Sequence, residues 1–79
     1  MRVAFDSIFN QIDGRIIPRG HIAIGNATFA AGASLSPVFR ILGVEVTRLT
    51  NCDLAVEDED GISVIVGYYK DGRLIESEH

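Results

Sequence analysis

Residues 62–76 read ISVIVGYYKDGRLIE and carry the clearest structural signal in the chain. Residues 62–69 are mostly β-branched or aromatic, a composition typical of β-strands. Asp71 and Gly72 then interrupt the run, and this pair between apolar segments predicts a type I′ turn because both residues tolerate a positive φ. The stretch therefore predicts a C-terminal hairpin whose first strand presents four side chains on one face: Ile62, Val64, Val66 and Tyr68.

Glycines and further Asp-Gly pairs extend this pattern through the chain. Gly67 interrupts the C-terminal run, so we expect a β-bulge or a close backbone approach there. Asp13-Gly14 and Asp60-Gly61 predict two more tight turns, and residues 54–57 form a short strand that leads into the second of them. Residues 39–49 are predicted to be one extended strand, with a bend allowed by a glycine at position 43.

Residues 5–14 fit two structures. The helical interpretation rests on apolar side chains spaced three and four positions apart, at Phe5, Ile8, Phe9 and Ile12. The alternative is a strand that turns at Asp13-Gly14. We favour the strand because isoleucine, phenylalanine, asparagine and aspartate are mediocre helix formers, and the helix remains open.

Length and composition define the class of protein. The chain has 79 residues, of which 47% are hydrophobic and 23% charged, a balance typical of a globular domain and not of a disordered chain. A chain of this size forms one domain, here residues 1–79. Together with the turn signals, this predicts an all-β fold: a small antiparallel barrel or roll of five to seven short strands, with one short N-terminal helix as an open alternative.

Charge and cysteine content narrow the compartment and the partners. Seven Lys and Arg residues against eleven Asp and Glu residues give a net charge of −4, so nucleic acid is not an expected partner. A single cysteine excludes a disulfide within the chain and fits a reducing compartment. We find no apolar segment long enough for a secretory signal or a membrane span, and we expect a cytoplasmic protein.

Residues with catalytic or metal-binding chemistry are few. His21 and Cys52 with Asp53 could act as base, nucleophile and orienting acid, but their spacing matches no hydrolase pattern. The acidic residues 57–60 could form a Ca²⁺ or Mg²⁺ loop, but consecutive carboxylates in a tight hairpin point in different directions. We interpret them as a solvated turn. Two histidines, one of them terminal, do not form a transition-metal site alone. We therefore expect no enzyme, no metal and no cofactor.

The candidate binding residues are aromatic and basic. Tyr68 and Tyr69 are adjacent in one predicted strand, so they face opposite sides, one in the core and one on the surface. Phe29 lies among alanines and glycines, which allow another backbone to approach closely. We expect the interface or binding residues to be Phe29, Phe39, Tyr68, Tyr69, Arg40 and Arg48.

Three functions follow from these observations. The first is a non-enzymatic assembly module, in which the chain binds copies of itself or another protein as an accessory or structural subunit, of the phage or mobile-element type among others. Its basis is a thin core with no disulfide to support it. The second is a small barrel that binds a small molecule or single-stranded nucleic acid through its tyrosines and Arg40, Arg48 and Arg73. The third is a minor enzyme that uses His21 or Cys52.

Overall fold

A computed structural model describes residues 1–36 and 38–76. Those residues contain one helical turn, α1 (Phe5–Ile8), and one 3₁₀ turn (Val46–Leu49). The described strands are β1 (Arg2–Ala4), β2 (Phe9–Ile12), β3 (Arg15–Pro18), β4 (Ile22–Ile24), β5 (Ala27–Phe29), β6 (Arg40–Ile41), β7 (Val44–Glu45), β8 (Asp53–Glu59), β9 (Ile62–Lys70) and β10 (Arg73–Glu76).

The β8–β9 hairpin is the centre of the main sheet, whose order is β1-β8-β9-β4-β5. One side of β9 pairs with two strands in succession. β4 pairs with the first half of β9, and β10 pairs with the second half. β2 with β3 and β6 with β7 form two separate two-stranded ribbons. The long apolar run of β9 is thus paired along both of its edges, which is where β-branched residues are most stable.

The three Asp-Gly turns are confirmed. Each aspartate has φ between 51° and 52° and each following glycine has φ between 77° and 81°, the two positive values that a type I′ turn requires. They close the hairpins β2–β3, β8–β9 and β9–β10. The C-terminal hairpin predicted from residues 62–76 is therefore present.

Gly67 has both predicted features, and they correct the predicted face of β9. Ala55 pairs with Gly67 but Val56 pairs with Ile65, so Val66 is an extra residue in a β-bulge. The bulge shifts the alternation by one position. Ile65 and Tyr68, not Val64 and Tyr68, therefore lie on the buried face of the sheet.

Two segments differ from the sequence prediction. Residues 5–12 form both proposed structures in succession, since one helical turn precedes β2. Residues 39–49 are not one strand: β6 and β7 form a tight ribbon, and the 3₁₀ turn follows. The ribbon turns at Leu42 and Gly43, with φ of 55° and 82°. A leucine rarely adopts this conformation, which is why the sequence did not indicate a turn there.

One hydrophobic core lies on one face of the main sheet. Leu54, Val56 and Ile65 contribute from the sheet, and the covering layer comes from α1, the two ribbons and the 3₁₀ turn, through Phe5, Phe9, Ile16, Ile41, Val46 and Leu49. Phe5 and Phe9 stack with their ring centroids 4.8 Å apart. The all-β prediction and its short N-terminal helix are confirmed. In detail, the described strands are more numerous than expected, the sheet does not close into a barrel, and β4 runs parallel to β9.

The described residues include no helix with the length and apolarity that crossing a membrane requires.

Candidate functional site

A basic groove runs along the edge of the core between the 3₁₀ turn and the β9–β10 hairpin. Three adjoining recesses form it. Arg48 lines both a recess of about 180 Å³, with Arg40 and Glu45, and one of about 160 Å³, with Tyr68 and Lys70. A more open recess continues past Lys70. We define the basic groove by its charged residues: Arg40, Glu45, Arg48, Lys70, Asp71 and Arg73.

Local structure explains why these cations meet. Val46 and Leu49 of the 3₁₀ turn are fully buried, so Arg48 between them is left exposed. Lys70 and Arg73 are register partners across the tight turn of the C-terminal hairpin and therefore share a face. Arg40 lies on β6, where its Nη1 donates a hydrogen bond of 3.1 Å to the carbonyl oxygen of Gly43. Three separate elements thus contribute cations to one groove.

The charge of the basic groove is opposite to that of the whole chain. Four cations and two carboxylates give the groove a net charge of +2, while the chain carries −4. Within the described ranges, the one salt bridge joins Arg2 to Asp53, with Nε 2.7 Å from Oδ2. The groove cations therefore form no salt bridge with any described carboxylate. Four of the eleven acidic residues lie around the β8–β9 turn, at positions 57–60.

The opposite face of the main sheet, which we call the outer face, is uncovered. The β8–β9 and β9–β10 registers put Tyr69, Val64 and Leu74 on this face. None of them belongs to the core cluster or packs against it. The guanidinium of Arg2 lies 4.3 Å from the centroid of the Tyr69 ring, and the same side chain pairs with Asp53. The outer face therefore combines apolar surface with a cluster formed by Arg2, Asp53 and Tyr69.

β10 forms a free edge of the main sheet. Among the described strands it pairs with β9 alone, and all four of its side chains are exposed. Leu74 is 43% exposed and Ile75 38%, although both are large and apolar. These two apolar residues lie between the charged Arg73 and Glu76, and the unpaired backbone edge of β10 is a template for pairing with another chain.

A further recess of about 350 Å³ lies beside the bulge, where β4 and β10 both stop along one side of β9. Val66 and Leu42 line it together with two carboxylate side chains, those of Glu57 and Glu76. A lining of apolar and negatively charged side chains is complementary to an apolar group that carries a positive charge.

The six predicted binding residues fall into three places. Arg40 and Arg48 line one recess, and Tyr68 lines the recess beside it. Tyr69 is the one predicted binding residue on the outer face. Phe29 and Phe39 contact each other edge to face, with centroids 5.3 Å apart, and both also pack against the core. The prediction that one tyrosine is buried and the other is not is confirmed, with Tyr68 the buried one.

Lys70 is the one cation of the basic groove that the sequence prediction omitted. It is the single lysine of the chain and stands next to Asp71-Gly72. Once that turn is assigned, hairpin register places Lys70 opposite Arg73 on the same face. The signal was therefore present in the sequence. The sequence prediction grouped Arg40, Arg48 and Arg73 as binding cations, but it did not show that Arg48 would line one recess with Lys70, because that arrangement depends on the β6–β7 turn.

His21 and Cys52 are not brought together. The carbonyl oxygen of His21 accepts a hydrogen bond from Ser63, near the start of β9, whereas Cys52 precedes Asp53, which pairs with Tyr69 near its end. Six positions along a strand correspond to roughly 20 Å. A direct proton transfer between the two is therefore ruled out. Cys52 is a free thiol that lines the basic groove, and its Sγ donates to the carbonyl oxygen of Arg48 at 3.9 Å.

The acidic turn shows no coordination geometry. Over residues 1–36 and 38–76, the side chains of His, Cys, Asp and Glu form no group of three or more that could hold a metal ion. The second histidine, His79, lies outside the described residues. Residues 57–60 are exposed at the end of the β8–β9 hairpin.

Comparison of the sequence with known protein families and with curated proteins finds no match, and comparison of the fold with solved structures finds none either.

Proposed function

We propose that this protein is a non-enzymatic assembly module that forms a homodimer through the free edge of β10. The observation that carries the proposal is the exposure of Leu74 and Ile75 on an unpaired edge strand. Soluble proteins normally protect such edges with charges, bulges or a covering segment, because an exposed apolar edge pairs with other chains. A second copy of this chain supplies an edge of matching length and composition.

Strand geometry defines how two copies meet. When a two-fold axis relates two antiparallel edge strands, the outer faces of both copies lie on the same side of the joined sheet. Two directly opposed residues must therefore project from the same face of the sheet. The register centred on Leu74 meets this condition. It places Leu74 opposite Leu74 of the second copy, and Arg73 opposite Ile75. Tyr69, the cross-strand partner of Leu74, then extends the apolar contact on the outer face.

Charge distribution favours a contact through β10 over a contact near the acidic turn at residues 57–60. The acidic turn at residues 57–60 lies at one end of β9, and the β9–β10 turn lies at the other. Nine residues of β9 separate them by about 30 Å. Dimerisation through β10 therefore keeps the two acidic turns apart, which limits repulsion between two chains of net charge −4.

Leu74→Asp tests the proposal. It puts two carboxylates opposite each other at the centre of the contact, so we expect a dimer for the parent chain and a monomer for the variant, by light scattering at high micromolar concentration. Thr28→Asp is the matched control, because Thr28 is exposed on β5, another short edge strand of the main sheet. We expect this control to remain a dimer.

A parent chain that is monomeric at that concentration would overturn the proposal, and so would a Leu74→Asp variant that stays dimeric. A mainly β circular dichroism spectrum of the variant shows that it has kept its fold. We further propose that the assembly works in a reducing, cytoplasmic compartment, in keeping with the free thiol of Cys52.

A further inference from the structure

We propose that the basic groove binds a small phosphorylated molecule, with Arg48 as the residue that holds the phosphoryl group. Arg48 is the one charged residue that lines both of the smaller recesses of the groove, those of about 180 and 160 Å³, so an anion in either recess contacts it. Arg40 lines the first recess and Lys70 the second. A bound phosphoryl group therefore meets two cations in either position.

The arrangement of charge indicates an anionic ligand. The groove has four cations against two carboxylates, and repulsion among the excess positive charges destabilises the folded chain. The cost is unusual here because acidic residues outnumber basic ones and still form no salt bridge with the groove cations among the described residues. A bound anion removes the repulsion. Arginine is also the side chain best suited to a phosphoryl group, since its planar guanidinium donates two parallel hydrogen bonds.

Size and aromatic exposure favour a small ligand over single-stranded nucleic acid. The two recesses that Arg48 lines measure about 180 and 160 Å³, below the range of about 300–1,000 Å³ that accommodates whole drug-sized ligands. The third recess measures about 480 Å³ but is more open to solvent. The two smaller recesses suit a terminal anionic group. Binding of single strands relies on exposed aromatic rings on which bases stack. Tyr68 in the groove is only 9% exposed, and Tyr69 lies on the outer face under Arg2.

Pyrophosphate is the probe that tests this site. We expect it to shift the amide resonances of residues around Arg48, Cys52 and Lys70 in a saturable manner at low ionic strength. Arg48→Gln should weaken the apparent affinity by about tenfold or more, the size expected for the loss of a charge-assisted hydrogen bond. Arg15→Gln is the matched control, because Arg15 is an exposed cation on β3, outside the groove, and it should leave the affinity unchanged.

A second variant changes the affinity in the opposite direction. Glu45 contributes a carboxylate to the recess shared by Arg40 and Arg48. Glu45→Gln should therefore strengthen pyrophosphate binding by a few-fold, because it removes a repulsive charge from the site. An increase in affinity cannot result from a damaged fold. It also does not depend on dimerisation, since Glu45 lies on β7 and not on the free edge of β10.

Three results would overturn the proposal. The first is no saturable shift with pyrophosphate. The second is an equal loss of affinity in Arg48→Gln and Arg15→Gln, which indicates general attraction to positive charge. The third is binding of a single-stranded oligonucleotide without binding of pyrophosphate, which assigns the groove to nucleic acid.

Discussion

Gly67 is the residue on which the geometry of the C-terminal hairpin depends. A Cβ atom at this position would lie 2.6 Å from the carbonyl oxygen of Ile75, closer than any real side chain approaches a backbone atom. The same atom would lie 3.1 Å from Cδ1 of Leu74. No other glycine of the described chain meets a neighbour within 4 Å. β10 can lie against the bulge of β9 only because residue 67 has no side chain.

Gly67→Ala is expected to lower the free energy of unfolding by about 2 kcal/mol, the middle of the range for overpacking a closely packed site. Gly20→Ala is the control, because it meets no atom within 4 Å and does not have a positive φ. Its effect should be near zero or slightly stabilising. Urea unfolding at a fixed protein concentration measures both, and equal midpoints would show that β10 does not need the close approach.

Leu42 marks the limit of prediction at this scale. The aspartates at positions 13, 60 and 71 indicated turns because aspartate tolerates a positive φ. Leu42 adopts the same conformation at φ 55° and packs its side chain partly against the core. Tertiary contact therefore decides the backbone at Leu42. A pattern based on local preferences predicts a continuous strand there, and it predicted the wrong structure for residues 39–49.

The hairpins are the elements that the sequence predicts best. Their turns depend on two adjacent residues, and their strands on alternation within about ten positions, so the information is local. The bulge in β9 is a feature that local sequence patterns predict only in part. Gly67 predicted an irregularity, but its effect on which side chains are buried depends on the pairing with β8. The parallel β4–β9 pair depends on residues far apart in the chain and left no local signal.

The two turns at the ends of β9 should stabilise different parts of the fold: the β8–β9 turn the centre of the main sheet, and the β9–β10 turn the edge strand β10. Gly61→Val and Gly72→Val each force a β-branched residue to a φ near 80°, at a cost of about 1 kcal/mol or more. Gly61 joins the two central strands, so its replacement should reduce hydrogen-exchange protection across the main sheet. Gly72 joins the edge strand, so its replacement should release β10 selectively.

Hydrogen exchange with mass spectrometry distinguishes these two effects. Protection lost over β8 and β9 in both variants would contradict the assignment of β10 as a separable edge. An unchanged melting temperature in Gly72→Val would show that residue 72 does not need a positive φ.

At the scale of the whole molecule, charge and apolar surface are unevenly distributed. The chain carries a basic groove on one side of the sheet plane, an uncovered apolar face on the other, and an acidic turn at one end. The sequence predicted Arg40, Arg48 and a surface tyrosine as binding residues, but not their separation onto two faces. That separation arises from the bulge and the β6–β7 ribbon, which act over the whole fold.

The proposed dimer makes stability dependent on protein concentration. When folding and dimerisation are coupled, a tenfold increase in concentration stabilises the dimer by about 1.4 kcal/mol, which raises the melting temperature of a pair of chains of this length by about 4 °C. Differential scanning calorimetry at two concentrations measures the shift. Leu74→Asp should show no shift, and Thr28→Asp should shift as the parent does. A melting temperature independent of dilution in the parent would contradict the coupling.

Because N-terminal strands pair with C-terminal ones, the order of translation determines when the main sheet can form. β1 pairs with β8, and β4 pairs with β9 across forty-one positions, from Ile22 to Ser63. β1 and β4 therefore cannot join the central hairpin of the main sheet until residues 53–70 have been translated. Contacts between distant positions also slow folding, because closing the intervening loop costs entropy before any contact is gained. The β8–β9 hairpin, stabilised by neighbouring residues alone, is the template on which the older part of the chain then assembles.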